Sequence, residues 1–407
     1  MASAFHYLAG SIWRAPWPWN SYFFTPDDRF RDLINSVNKT IHLDPYHEQS
    51  AGVAAYFPFT YAVLALLRNV SLNIYVPGFV LLSLVAACGY SIMLARRYGG
   101  DNVVLRRLLF MLLFVIVICS YPFQFAVDRG NFDIIVAFLC FACVFLLDKN
   151  KFLPAVLFLS IAIALKGYPA IFLLFFVERR KYLYALLAAG LSIVLTGGSC
   201  LILSRGFYWN WSGFLHGLSE FHRLYVVETW SMHYSSDLYN ALRILSKIKP
   251  GLASAIAFML KNYGLISFIV AMVCILYFLF AESSRRLRVV AFSGALLFYP
   301  NIINDYKLIF LLLPLVFLVF DDGKWTWREI LCVSCVLGLL VPKHYYVLFN
   351  DVTISCILNP LFLCTMIGAI LSDRESWKQG SKHAVAKMRW YLEPAIDLGR
   401  KFIGFKQ

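Results

Sequence analysis

Four short polar motifs interrupt a chain that is otherwise apolar, and they hold the side chains able to do chemistry. Asp28 and Asp32 stand four residues apart in TPDDRFRDLINSV, a spacing that puts both carboxyls on one face of a helix. Asp128-Arg129-Gly130-Asn131-Phe132-Asp133 (DRGNFD) joins two apolar runs, Lys166-Gly167-Tyr168-Pro169 (KGYP) breaks a third, and Asn304-Asp305-Tyr306-Lys307 (NDYK) opens a fourth. A carboxylate can take the proton of a hydroxyl nucleophile, and Arg or Lys can stabilise the charge that develops on a departing phosphate. The motifs therefore contain both halves of a group transfer from a phosphate ester.

Each motif also has a purely structural reading. In DRGNFD, Gly130 permits a tight reversal, Asn131 suits an N-cap, and Asp133 suits the first turn of the following helix, where negative charge is favoured. That reading leaves Arg129 over. Placed at a helix N-terminus, whose free N–H groups favour anions, Arg129 reads as a phosphate ligand or as the partner of Asp128 or Asp133; a side chain snorkelling to the membrane surface is the competing reading. Lys166 interrupts an apolar run, which is costlier than a surface lysine, and Gly167 and Pro169 free backbone groups beside it. Lys307 is a third candidate cation, at a helix end from which it could equally snorkel. Asp28 and Asp32 could be no more than a solvated helix face.

The elements that must hold these motifs are membrane helices. Of 407 residues, 60% are hydrophobic and 15% charged, against roughly 45–50% and 25% in soluble domains. Runs of sufficient or nearly sufficient length occupy 74–94, 107–122, 131–147, 181–203, 263–281, 305–320, 326–342 and 352–372, with shorter pieces at 53–67, 152–165, 168–177 and 288–300. The expected fold is all-α and polytopic, with about ten to eleven transmembrane or re-entrant helices.

Lys and Arg set the orientation. Arg96-Arg97 with Arg106-Arg107, Arg179-Arg180-Lys181, Arg285-Arg286 with Arg288, and the tail from Asp373 share one side if every intervening segment crosses or re-enters, and that side is then cytoplasmic. It carries 22 of the 37 Lys and Arg residues against 11 of the 23 acids, so the overall +14 follows from topology and requires no nucleic-acid partner. The ten cysteines fall in or beside apolar runs. Cys140/Cys143 and Cys332/Cys335 form CxxC pairs without a His cluster and read as small hydrophobes, so neither a metal nor a cofactor is expected.

Along the chain, residues 1–73 form an extracytoplasmic segment. It comprises an aromatic, proline-punctuated start, an amphipathic surface helix from Pro26 toward Tyr46, and the short re-entrant piece YFPFTYAVLALL. The start shows neither a convincing signal peptide nor a full span. Either Phe5–Ile12 belongs to a short first helix or the chain begins downstream of one. A transmembrane core (74–203) holds DRGNFD and KGYP, a polar loop domain (204–262) lies on the outer surface, C-terminal transmembrane helices fill 263–372, and a basic, aromatic tail (373–407) lies along the inner leaflet. The path through 152–177, up to KGYP and down again, puts Lys166 beside DRGNFD. The four motifs then meet at outer helix ends around one outward cavity, an arrangement suited to a lipid-linked phosphate whose tail lies in the bilayer.

These motifs carry a family likeness. RGNFDIIVAFL and AVLFLSIAIALKGYPAIFLLFFVERRK resemble the R-G-Q/N-x-[DN] and A-x-x-K-x-x-P blocks of glycosyltransferase family 87. DRFRDLINSV, DPY and YFPFTYAVLALL resemble the family's acidic first outer loop and its Y-P-P-L segment, read here as YFPF, and NDYKLIFLLLPL continues the likeness; by motif order it covers most of 27–320. The family's transmembrane helix before the acidic loop is not evident. The resemblance implies a GT-C type fold in the inner membrane and an active site on its periplasmic or extracytoplasmic face. It also implies a polyprenyl-phosphate-linked sugar donor, as in mannosyltransferases, and a glycan or glycolipid acceptor. It assigns catalysis to Asp32, with Asp28 second, and donor-phosphate binding to Arg129, Lys166 and Lys307. Asn131, Asp133, Tyr168, Asp305, Tyr306 and His344, in or beside the same outer motifs, are the expected substrate contacts.

Two other classes compete. A transporter or flippase of a lipid-linked saccharide would thread polar groups through the bilayer midplane in repeat-related halves, whereas these motifs lie at helix ends. A non-catalytic scaffold would tolerate Asp32→Asn.

Overall fold

Apolar runs bounded by Pro, Ser, Asn and charged residues become helices in the computed structural model, which describes residues 12–14, 29–48, 52–228, 232, 235–298, 304–343, 347–349, 352–383, 386–391 and 393. In chain order they are α1 (Arg31–Asn38), α2 (Pro58–Ala65), α3 (Leu72–Tyr98), α4 (Val103–Cys119), α5 (Tyr121–Arg129), α6 (Asp133–Asp148) and α7 (Phe152–Leu165). A 3-10 turn at Tyr168–Phe172 leads into α8 (Leu173–Glu178), followed by α9 (Tyr182–Ile202) and α10 (Gly206–His222), which runs on into a π-helical turn at Arg223–Val227. Then come α11 (Leu238–Ile248), α12 (Ala253–Lys261), α13 (Tyr263–Phe280) and α14 (Arg285–Phe298). A 3-10 stretch, Asp305–Leu311, opens α15 (Leu312–Phe320), and α16 (Trp327–Leu340) precedes an antiparallel ribbon of β1 (Val347–Phe349) and β2 (Val352–Thr353). Then come α17 (Ser355–Leu371) and α18 (Arg374–Lys382), and residues 386–391 are helical as well. At 79% helix the chain is all-α, as its pattern predicts.

Helix starts follow local chemistry. Pro58, Pro122 and Pro169 occupy first-turn positions, where a missing N–H costs nothing. Asn102 accepts the Leu105 N–H at 3.0 Å, Asp237 accepts that of Asn240 at 2.8 Å, and Thr326 with Glu329 forms a reciprocal capping box. Ser120, in extended conformation, separates α4 from α5, and the two helices are bent by 57°.

Helix α6 is the hub. It is apolar on every face, and such a helix must be covered on every face. Ile134, Val136, Ala137, Phe141 and Val144 are buried against α3, α7 and the Asp305–Leu311 stretch. Helices α3, α9 and α13 do the opposite: Leu81 is 62% exposed, Ile193 71% and Leu265 61%. These helices have 27, 21 and 18 residues, so at 1.5 Å per residue they reach roughly 27–40 Å, enough for a hydrocarbon core of about 30 Å. Their apolar outer faces are what a bilayer covers, and this is a membrane protein.

The structure adds detail to three sequence expectations. Among the described residues three helices are long and apolar enough to cross alone, or five if the bent pairs α4–α5 and α17–α18 each count as one; the ten or eleven expected also include shorter and re-entrant pieces. Helices α6, α7 and α16, of 14 to 16 residues, each end at charged or turn residues before reaching full spanning length. The surface helix expected from Pro26 toward Tyr46 has only eight residues in α1, after which turns occupy 39–47. Residues 204–262, expected to be an outer loop domain between spans, are built largely of α10, α11 and α12.

Polar groups collect at the two ends of α6. DRGNFD and KGYP meet at its N-terminus. Arg97, Arg179 and Arg285 converge on Asp148 at its C-terminus, about 22 Å away at helical rise.

Candidate active site

The reversal between α5 and α6 positions the site. Helix α5 ends at Arg129, and Gly130 takes the left-handed conformation (φ 65°) that turns the chain into α6. A Cβ on Gly130 would lie 2.7 Å from Leu33 Cβ and 3.3 Å from Phe30 Cα, so a bare glycine lets α1 rest on the turn. The Phe30 N–H donates to the Asp128 carbonyl at 2.6 Å, a second tie that brings Asp32 over DRGNFD. Gly130→Ala should therefore cost about 1–3 kcal/mol and loosen α1. The check is a thermal melt of the detergent-solubilised protein; an unchanged midpoint would mean that α1 does not depend on this turn.

Asp32 is gripped from both sides. Arg129 Nη2 donates to its Oδ1 at 2.6 Å and Asn131 Nδ2 to its Oδ2 at 2.8 Å. Asn131 Oδ1 accepts from the Asp133 N–H at 3.0 Å and from Lys166 Nζ at 2.9 Å. The amide orientation is thereby fixed, because reversing it would set donors against donors on both sides. Lys166 Nζ also lies 2.9 Å from Asp133 Oδ1, which receives the Tyr168 hydroxyl as well. One connected chain runs Arg129, Asp32, Asn131, Lys166, Asp133, Tyr168. Side-chain exposure is 0% at Asp133, 11% at Lys166, 14% at Arg129 and 21% at Asp32, so of the two carboxylates Asp32 is the one a substrate can reach.

Tyrosines wall the group. Lys166 Nζ stands 4.8 Å from the ring centroid of Tyr56 and 5.8 Å from that of Tyr306, within cation–π range, and Lys307 Nζ stands 5.3 Å from that of Tyr168. Burial pushes the Tyr56 phenol well above the usual tyrosine range, and the negative charge of Asp32 adds to this, so Tyr56 keeps its proton. Tyr225, in the π-helical turn, also feels the charges of Asp32 and Arg129.

The site thus holds Asp32, Arg129, Asn131, Asp133, Lys166 and Tyr168 in one network, with Tyr306 and Lys307 beside it. Asp305 belongs to a separate, buried group: it accepts from Ser236 at 2.6 Å, Asn359 at 3.1 Å and Tyr121 at 3.1 Å, tying α5, α17 and the segment before α11. Asp28 and His344 lie outside the described residues.

Arg129 differs from expectation in both place and partner. It closes α5, where the helix dipole favours a cation, instead of starting a helix. Its carboxylate is Asp32; Asp128 instead lies 3.7 Å from Arg29. Sequence reasoning did not single out Tyr56 or Tyr225. A signal for Tyr56 exists in KGYP: a Cβ on Gly167 would collide with the Phe57 ring, so YFPF is packed directly on that motif.

An accessible carboxylate between a guanidinium and an amide, with a second cation beyond, can exchange a proton with a bound hydroxyl while cations hold an anion. No curated protein matches the chain. The model of glycosyltransferase family 87 matches residues 55–300, more than half of the sequence, and that region contains Tyr56, DRGNFD and KGYP, whereas Asp32 and Lys307 flank it. With the centre of the network inside the match, the chain belongs to glycosyltransferase family 87.

Proposed function

We propose that this membrane glycosyltransferase is of the GT-C type, crosses or enters the membrane ten or eleven times, and transfers a sugar from a polyprenyl-phosphate donor to a glycan or glycolipid acceptor. The reaction is assigned to the extracytoplasmic face of the inner membrane, the face opposite the Arg-rich helix ends. One observation carries the reading: Asp32, the more open of the two carboxylates in its network, is held by Arg129 at 2.6 Å and Asn131 at 2.8 Å, with Lys166 one contact further on.

In this reaction the acceptor oxygen bonds to the anomeric carbon while the bond from that carbon to the phosphate oxygen breaks. Its electron pair leaves with polyprenyl phosphate, and the acceptor proton passes to Asp32. The leaving phosphate gains one negative charge, which Arg129 and Lys166 stabilise, with Lys307 as a third cation. Both oxygens of Asp32 already accept hydrogen bonds. A bound donor phosphate would draw Arg129 away from Oδ1 and free that oxygen for the acceptor hydroxyl, so the base becomes available once the donor is seated. The buried Asp133 holds Lys166 at 2.9 Å behind the sugar. Tyr168, Asn131 and Tyr306 would line the same sugar, with Asp28 as second acid.

Arg129→Ala should raise the KM for a polyprenyl-phosphate donor about 10- to 100-fold, the equivalent of a charge-assisted hydrogen bond of roughly 1.5–3 kcal/mol. Arg129→Lys should recover part of the loss. Steady-state transfer in isolated membranes makes the comparison. An unchanged donor KM would reduce Arg129 to a holder of Asp32.

A further inference from the structure

A second charged site lies at the far end of α6, where the ends of α3, α6 and α8 meet the start of α14. Asp148 accepts from Arg97 through one carboxylate oxygen and from both Arg179 and Arg285 through the other. Three guanidiniums thus share one carboxylate that is 9% exposed. A cleft of about 710 Å³ opens over them, lined also by Arg96, Lys149 and Lys181. Six cations and one acid line it. Two further acids stand close by: Glu178, 3.6 Å from Arg179 but engaged by Arg288 at 2.7 Å, and Asp321, which accepts from Tyr98 at 3.3 Å. Cations remain in excess when both are counted.

Cations placed only to orient a membrane protein would spread over its surface; here they converge. Packing also fixes them, since the Arg97 and Arg285 guanidiniums lie 5.7 and 4.6 Å from the Phe317 ring centroid. Like charges held this close and partly desolvated favour a further anion, and the planar fork of arginine matches phosphate oxygens. We propose that this cleft binds a phosphate group, carried by an anionic phospholipid headgroup or by a soluble phosphate ester. The site is separate from the Asp32 network and does not depend on its assignment.

The test uses the full chain purified in neutral detergent. The triple variant R96Q/K149Q/K181Q removes lining charge and leaves the three arginines on Asp148 intact; K378Q/K382Q, on exposed α18, is the control. Two probes are applied: phosphatidylglycerol added to phosphatidylcholine nanodiscs, with retained lipid counted by native mass spectrometry, and inorganic pyrophosphate, followed by the shift of the thermal midpoint. The triple variant should bind at least one of them about tenfold or more weakly than wild type, and the control should bind both normally. Loss confined to phosphatidylglycerol identifies a lipid headgroup, and loss confined to pyrophosphate a soluble ester. Binding of both probes unaffected by the triple variant, or weakened equally in the control, would overturn the proposal.

Discussion

Asp32→Asn is expected to lower sugar transfer by about 10²- to 10⁴-fold, the usual contribution of a general base, while the protein still inserts into membranes. The substitution is nearly isosteric. The amide oxygen can still accept from Arg129, but the new NH2 faces Asn131 Nδ2, donor against donor. Asn131 cannot turn to relieve this without losing Lys166 and the Asp133 N–H. Because Asp32 is 21% exposed, the structural penalty should stay near the 1–3 kcal/mol of one unsatisfied group, too small to unfold the chain. The loss should therefore appear in turnover, read as initial rate per folded protein. Wild-type turnover in this variant would remove Asp32 from the chemistry.

The largest effect on stability is expected from Lys166→Met. Asp133 is fully buried and Lys166 lies 2.9 Å from it. Removing one partner of a buried pair leaves the other charge uncompensated and typically costs 3–5 kcal/mol. Tyr168 would still donate to Asp133, and Lys307 remains within electrostatic reach, so the lower part of that range is the better expectation. Removing both charges in K166M/D133N should restore a substantial part of the stability, because a neutral amide does not need the counter-ion. Denaturant-induced unfolding in mild detergent measures the full double-mutant cycle. A single variant as stable as wild type, or a double variant no better than the single, would mean that the ion pair does not hold α6 against KGYP.

The apolar runs of the sequence are nearly all helices in the structure, with ends shifted by a few residues: 74–94 became Leu72–Tyr98, 181–203 became Tyr182–Ile202 and 263–281 became Tyr263–Phe280. Hydrophobic length and charged boundaries encode that much. They do not encode bends. The run 107–122 reads as continuous in sequence, although Ser120 and Pro122 mark the start of a new helix, and the break puts Arg129 at a helix end instead of a helix start. KGYP beside DRGNFD followed from topology alone, since a path with both ends on one side must bring Lys166 back to the start of α6. The contact between Arg129 and Asp32 spans 97 residues, and no local pattern specifies a partner at that distance. It depends on Gly130 giving way to α1 at the turn, which is visible only once both are placed in space. Tyr56 and Tyr225 were missed for a related reason: an aromatic residue at a membrane boundary is ordinary in sequence, and only its distance from a charge sets it apart.

The central claim, a lipid-linked sugar donor used by an Asp32-centred site, is tested most directly by donor choice. Membranes carrying the protein, from cells unable to make lipid-linked sugars, would be supplied with labelled polyprenyl-phosphate sugars and, separately, with the corresponding nucleotide sugars. The expected result is transfer of label from at least one polyprenyl-phosphate sugar, none from any nucleotide sugar, and loss of the transfer in Asp32→Asn. Transfer directly from a nucleotide sugar, with none from the lipid-linked donors, would contradict the claim.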